Sequence, residues 1–315
     1  MALPTVTIVV PPRDRFNKTR PSLESIYRNT DYPFDLVYVD GNSPPHVKRY
    51  LEGEARKRGF RLIRTDRYLS PNQARNIGLK EVRTQYVVFV DNDVEVAPRW
   101  LTFLVECAEQ TGAWAVAPLI FEGPLNDQVI HIFGGTAEFS EKDGIRTFHE
   151  EHLFNGRRLD QAQPEMRRMP TGFAEFHCLL LRREVFDTLG PCDERFLSLE
   201  EHLDLSLLIR QAGGTVYVEP RAHVAFPYND LLDASDMEYA RLRWSDDWNR
   251  RSAQHFVEKW KVDPASSWRT QSIDWGNKHR EHLERLRRSP WSMLKRLAKE
   301  ILPEPAYKAL QALRN

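Results

Sequence analysis

The first 121 residues repeat one pattern: a short apolar run, a stretch with helical spacing, then another apolar run. Val6–Val10 (VTIVV) reads as a buried strand. Pro21–Arg28 sets Leu23, Ile26 and Tyr27 at helical spacing, with Pro21 suited to a first turn. Leu36–Val39 is a second strand, 47–58 a charged helix, 61–64 a third strand, 72–82 a helix and Tyr86–Val90 a fourth strand. Strands with no polar face must be covered on both sides. The alternation therefore predicts an α/β fold, a mostly parallel sheet between layers of helices.

The order loosens afterwards. A helix is expected at 100–110 and a strand at 114–121. Residues 122–170, rich in Gly, His and charge, read as short antiparallel strands and loops. Regularity returns with a strand at Phe176–Leu181, helices at 183–189 and 199–212, and a strand at 215–218. The division expected is an α/β unit over 1–228, split near 121, followed by a helical extension over 229–315.

Hydrophobic residues at 41% and charged residues at 29% describe an ordinary soluble globular chain. Cys107, Cys178 and Cys192 are odd in number and lack metal-ligand spacing, which argues against a disulfide framework or zinc site and for a cytoplasmic setting. The N-terminus lacks the basic region and apolar length of a signal peptide. No stretch approaches the roughly 20 apolar residues that span a bilayer. The net charge is zero but uneven. Residues 241–315 hold 17 Lys+Arg against 9 Asp+Glu, and residues 1–240 hold 28 against 36. A basic tail thus follows an acidic body; an anionic surface is a suitable partner for it, and no nucleic acid is expected.

The run YVVFVDNDVEV carries the main functional signal, because its apolar part ends on Asp91, Asn92 and Asp93. Open parallel sheets bind ligands outside the carboxyl ends of their strands. Asp40 also stands at such an end. Aspartates at i and i+2 after a strand set two carboxylates near one point, a hard donor set for Mn²⁺ or Mg²⁺ completed by phosphate and water. The competing reading is a pair of turn-forming residues on a solvated loop.

A series of short motifs surrounds this one in order. TIVVPPRDRF is a strand followed by Pro and a polar stretch, and LVYVDGNS a strand ending in Val-Asp before Gly-Asn-Ser. Ala74-Arg75-Asn76-x-Gly78 comes next, then Asp91-Asn92-Asp93 with Pro98 and Trp100. A Leu-Arg-Arg strand end precedes the Gly190-x-x-Asp193-Glu194-x-Phe196 turn, and EEHLDLSLLIRQAGG opens a helix ending in Ala-Gly. With these motifs the chain resembles, over about residues 6–260, a family 2 glycosyltransferase of the GT-A fold.

The resemblance implies a Rossmann-like GT-A sheet and inverting, metal-dependent sugar transfer. The donor would be a nucleotide-sugar, a UDP-sugar for preference, and the acceptor a hydroxyl of a glycan or glycolipid in bacterial surface polysaccharide assembly. Residues 1–121 would form the nucleotide-sugar half and 122–228 the acceptor half. Pro11, Pro12 and Arg13 would wall the base pocket, and Asp40 would accept a hydrogen bond from the base. Arg75 would approach the diphosphate or the metal-bound aspartates. Asp91 and Asn92 would face the donor, and Asp91 and Asp93 would hold Mn²⁺ or Mg²⁺.

The acceptor hydroxyl needs a base. Relatives carry Glu-Asp at the start of the EEHLDLSLLIRQAGG helix, which falls here on Glu201-His202. Glu201 is the expected base, with His202 orienting it or binding acceptor, and Glu200 a neighbour able to substitute. Relatives also end the catalytic domain on Pro-x-Ala-x-Val-x-His; Phe226 stands in that histidine's place, and His223 lies three residues earlier on the opposite strand face. These departures keep two rivals open: a GT-A scaffold that binds nucleotide or carbohydrate without turnover, and a retaining transferase.

Toward the C-terminus, Trp244 and Trp248 are expected on one helical face, packing or stacking on a sugar. Residues 290–302 form a basic amphipathic pattern that either packs on the body or touches a membrane interface peripherally. The oligomeric state is not legible.

Overall fold

The computed structural model describes residues 3–287. The amphipathic pattern at 290–302 lies outside the described residues.

The expected alternation is present, with element ends moved by a few residues. It runs β1 (Val6–Val10), α1 (Thr19–Asn29), β2 (Asp35–Gly41), α2 (Pro45–Arg58), β3 (Arg61–Thr65), α3 (Pro71–Leu79) and β4 (Tyr86–Val90). Proline starts α2, and Gly59 ends it in the left-handed conformation at φ 78°, where a side chain would be strained. A capping box between Ser70 and Gln73 opens α3. Gly78 brings α3 down onto the sheet: a Cβ there would sit 2.3 Å from Val9 Cγ1. β1 and β4 are buried along their whole length, as unbroken apolar runs require.

The second half comprises β5 (Glu95–Val96), α4 (Trp100–Thr111), β6 (Ala115–Glu122), β7 (Val129–Ile132), β8 (Gly135–Lys142) and β9 (Ile145–His152). Then come α5 (Leu159–Ala162), β10 (Met169–Pro170), β11 (Cys178–Arg182), α6 (Val185–Leu189), α7 (Glu201–Gln211) and β12 (Val216–Phe226). The main sheet is ordered β10-β12-β6-β11-β4-β1-β2-β3, with β5 paired to β12 and β7 to β6. Strands β3, β2, β1 and β4 are mutually parallel, while β11 enters antiparallel between β4 and β6. β12 continues far past the expected 215–218. Its register against β6 shifts between Glu219 and His223, where Pro220 has no donor for the ladder. β8 and β9 form a separate hairpin.

The chain closes with α8 (Met237–Arg243), α9 (Asp246–Trp260) and α10 (Trp268–Leu286). Tyr239, Phe256 and Trp268 join the same apolar core as Ile8 and Val88, so these helices are packed onto the α/β unit. Trp244 and Trp248 do not share a helix, because Ser245 between them caps α9 and its side chain accepts from the Trp248 N–H. Trp244 is buried against Trp275 and His279 and donates its indole N–H to Asp14.

Candidate active site

Strand order reverses between β1 and β4: β2 and β3 lie on one side of β1, and β4 on the other. Such a reversal leaves a crevice at the carboxyl ends of the two strands. The segments entering it are Pro11–Arg15 and Asp91–Asp93. Asn92 joins them. Its N–H donates to the Pro11 carbonyl, its Oδ1 accepts from the Arg13 N–H, and its Nδ2 donates to the Arg15 carbonyl and Thr19 Oγ1. Its amide is thus used as a brace between the loops.

Asp91 and Asp93 are each 1% exposed. Asp91 meets Arg13 Nη1 at 2.9 Å, Arg75 Nη2 at 3.7 Å and His177 Nδ1 at 3.6 Å. Asp93 has no hydrogen-bond partner on either carboxylate oxygen. Burial, reinforced by Asp91 and opposed by Arg13, pushes its carboxyl up to about 7. A buried carboxylate with two bare oxygens beside a second carboxylate is chemically suited to a divalent cation, which would supply the missing charge and bonds.

Arg75 is fully buried on α3, its guanidinium 3.7 Å above the Phe176 ring. Its Nη1 lies 3.6 Å from Glu201, and its Nε and Nη2 have no hydrogen-bond partner. Glu201, on the first turn of α7, is also 3.7 Å from Arg243 of α8. Burial alone would raise the Glu201 carboxyl, but Arg75 and Arg243 outweigh it and hold it below its usual range. Beside it, Glu200 takes a left-handed φ of 68° and accepts from Ser272. Burial, with help from Glu150, raises the Glu200 carboxyl well above normal. His202 is half-buried with Nε2 unpartnered.

Asp40 is in place at the end of β2, and its carboxylate is engaged by Ser43 and Arg64. Pro12 packs against Gly41 beside it. Arg13 turns away from that wall toward Asp91 and lines a cavity of about 760 Å³. Glu201, His202, Arg243 and His177 also line this cavity, and β9, with Phe148, Glu150 and His152, forms one wall. His223 does not join the site: its Nε2 meets the Pro220 carbonyl and its ring packs on Phe121.

Sequence reasoning missed Arg243, Asp14 and the group His131, Glu175 and His177. In that group one ligand atom from each lies within 4.8 Å of the others. The signal available was Glu175-x-His177, whose i and i+2 positions share a face in extended chain. What brings them to Asp91 is the antiparallel β11–β4 pairing, with the Asp91 N–H donating to the His177 carbonyl at 3.1 Å.

The glycosyl transferase family 2 model matches residues 7–190. The chain is 27% identical over 274 residues to an uncharacterized protein of Sinorhizobium fredii, covering 83% of this chain and 28% of that protein. It is 30% identical over 222 residues to an O-antigen biosynthesis protein of Myxococcus xanthus, covering 67% and 16%. The chain thus spans less than a third of the length of these relatives. Among solved structures, GalNAc-T7 with UDP, GalNAc and Mn²⁺ superposes with a TM-score of 0.55 at 18% identity, covering 87% of this chain and 55% of that one. A Pyrobaculum calidifontis mannosyltransferase in complex with GDP-Man and Mn²⁺ gives 0.53 at 16%, covering 99% and 80%. At such identities the likeness is one of fold.

Proposed function

The chain belongs to glycosyl transferase family 2 and has a GT-A fold, and from that premise we propose that it moves a sugar, with inversion, from a nucleoside diphosphate sugar to a glycan hydroxyl. The observation carrying this reading is Asp93, buried at the β1/β4 reversal with both carboxylate oxygens bare next to Asp91. A divalent cation held by Asp91 and Asp93 would offset the charge growing on the departing diphosphate. Arg13 and Arg75 add guanidinium charge at the same place, and Arg75 Nε, which has no hydrogen-bond partner, suits an anionic ligand. Asp40, with Ser43 and Arg64 around it, faces the base of the donor, and a UDP-sugar is the preferred donor. The acceptor enters the cavity under β9. His202 takes its proton, because the Glu201 carboxylate is shared between two arginines; this reverses the order expected from sequence. Surface polysaccharide assembly is supported by the O-antigen relative. Among the described residues no helix is long and apolar enough to cross a membrane.

The test is turnover of a panel of nucleotide-sugars with and without chelator, with the anomeric configuration of the product read by NMR. Metal-dependent turnover lost in Asp93→Asn, with inverted product, is the expected result. Turnover indifferent to both chelator and Asp93→Asn would overturn the site, no turnover with any donor would favour the scaffold reading, and retained configuration would remove inversion.

A further inference from the structure

We propose that His177 is a protein ligand of the cation assigned above to Asp91 and Asp93, with Glu175 holding its ring in register. This deepens the proposed reading and rests on it. His177 is 4% exposed, and its Nδ1 is buried without a hydrogen-bond partner, 3.6 Å from Asp91 Oδ2. The other ring nitrogen, Nε2, lies 3.3 Å from Glu175 Oε2. With the Nε2 proton toward that carboxylate, Nδ1 turns a lone pair toward the aspartates. A carboxylate behind an imidazole is the arrangement that fixes tautomer and ring orientation in metal-ligating histidines. His131 steadies Glu175 from the far side, its Nε2 at 3.1 Å, and is itself held by Glu122 at 3.2 Å from Nδ1. Phe226 stacks on the His177 ring at 4.3 Å between centroids and 26° between planes, which limits rotation of the imidazole.

Three buried atoms of this region lack hydrogen-bond partners: the two oxygens of Asp93, two residues beyond Asp91, and Nδ1 of His177, 3.6 Å from Asp91 Oδ2. Each separately would cost free energy as an unsatisfied polar group. A cation shared among them satisfies all three, and an imidazole alongside carboxylates suits Mn²⁺ as a borderline donor.

The experiment uses the full chain and Mn²⁺ alone. Pulsed EPR of the bound ion is expected to show nitrogen coupling from one imidazole, altered in form when the protein carries ¹⁵N-histidine. His177→Gln removes that coupling and weakens Mn²⁺, and Glu175→Gln keeps it while weakening Mn²⁺ by about 10–100-fold. Circular dichroism checks that each variant is folded, and the ¹⁵N result in the unmodified sequence needs no variant. Mn²⁺ bound in an Asp93-dependent manner without nitrogen coupling overturns the role of His177 and leaves the proposed function standing. Coupling that survives Asp93→Asn but is lost in His131→Gln puts the ion among His131, Glu175 and His177, and overturns it too. No Mn²⁺ binding at all fails both readings.

Discussion

At the scale of single residues, the site depends on carboxylates that differ in environment although they are close in space. Asp93 is buried without partners, Asp91 is tied to Arg13, and Glu201 is shared by Arg75 and Arg243. A base must give its lone pair to a proton, and a carboxylate held between two guanidinium groups gives it poorly. His202→Gln should therefore lower transfer by about 10²–10⁴, the usual worth of a positioned base, with nucleotide affinity unchanged. Glu201→Gln should act mainly on stability, because it leaves two buried arginines short of a partner. Breaking a buried pair costs about 3–5 kcal/mol. Urea unfolding beside steady-state rates separates the two effects. A Glu201→Gln protein of normal stability that loses more transfer than His202→Gln would return the base to Glu201.

At the scale of elements, the loop before α7 is pinned to α9 through Asp193, which accepts from Arg195, His255 and Lys259. Burial opposes ionisation of Asp193, but these partners prevail and hold its carboxyl well below the usual range. A depressed carboxyl contributes stability above its unfolded value near 3.9, and that contribution is lost as pH falls. Asp193→Asn should cost about 1–2 kcal/mol at neutral pH, allowing for partial exposure, and the gap to the parent should begin to narrow below about pH 4 and keep narrowing as pH falls through the depressed native value. Unfolding curves at several pH values check this; a gap constant with pH would show that the charge does not matter. The elements themselves were largely legible, because β1, β2 and β4 carry continuous apolar runs and the segments between them have helical spacing. β12 was read too short at 215–218: it runs on to Phe226 through a register shift after Glu219, whose carboxylate is paired with Arg168 and Arg221. The placement of Asp91 and Asp93 just past the end of β4 was legible from the strand pattern. The placement of His177 beside Asp91 was not, since it depends on β11 entering antiparallel beside β4, a non-local pairing with no mark in the local pattern.

At the scale of the molecule, the C-terminal helices complete the site. Arg243 of α8 reaches Asp14 at 3.5 Å and Glu201 at 3.7 Å, joining the segment after β1 to the start of α7. Asp236 accepts from the Asn17 N–H, and Tyr239 donates to the Leu69 carbonyl, so the same extension holds the segments before α1 and before α3. Arg243→Met should leave two buried carboxylates without that partner and lower stability by about 3–5 kcal/mol in urea unfolding. A loss within experimental error would mean that the extension is docked by packing alone. The central claim is that Asp93 holds a divalent cation against the diphosphate of a donor. Calorimetric titration of UDP into the parent protein and Asp93→Asn, each in Mn²⁺ and in chelator, tests it most directly. The account predicts that Mn²⁺ tightens UDP binding to the parent by at least about tenfold, roughly 1.4 kcal/mol, and leaves Asp93→Asn unchanged. Equal UDP affinity for the parent with Mn²⁺ and with chelator would contradict it.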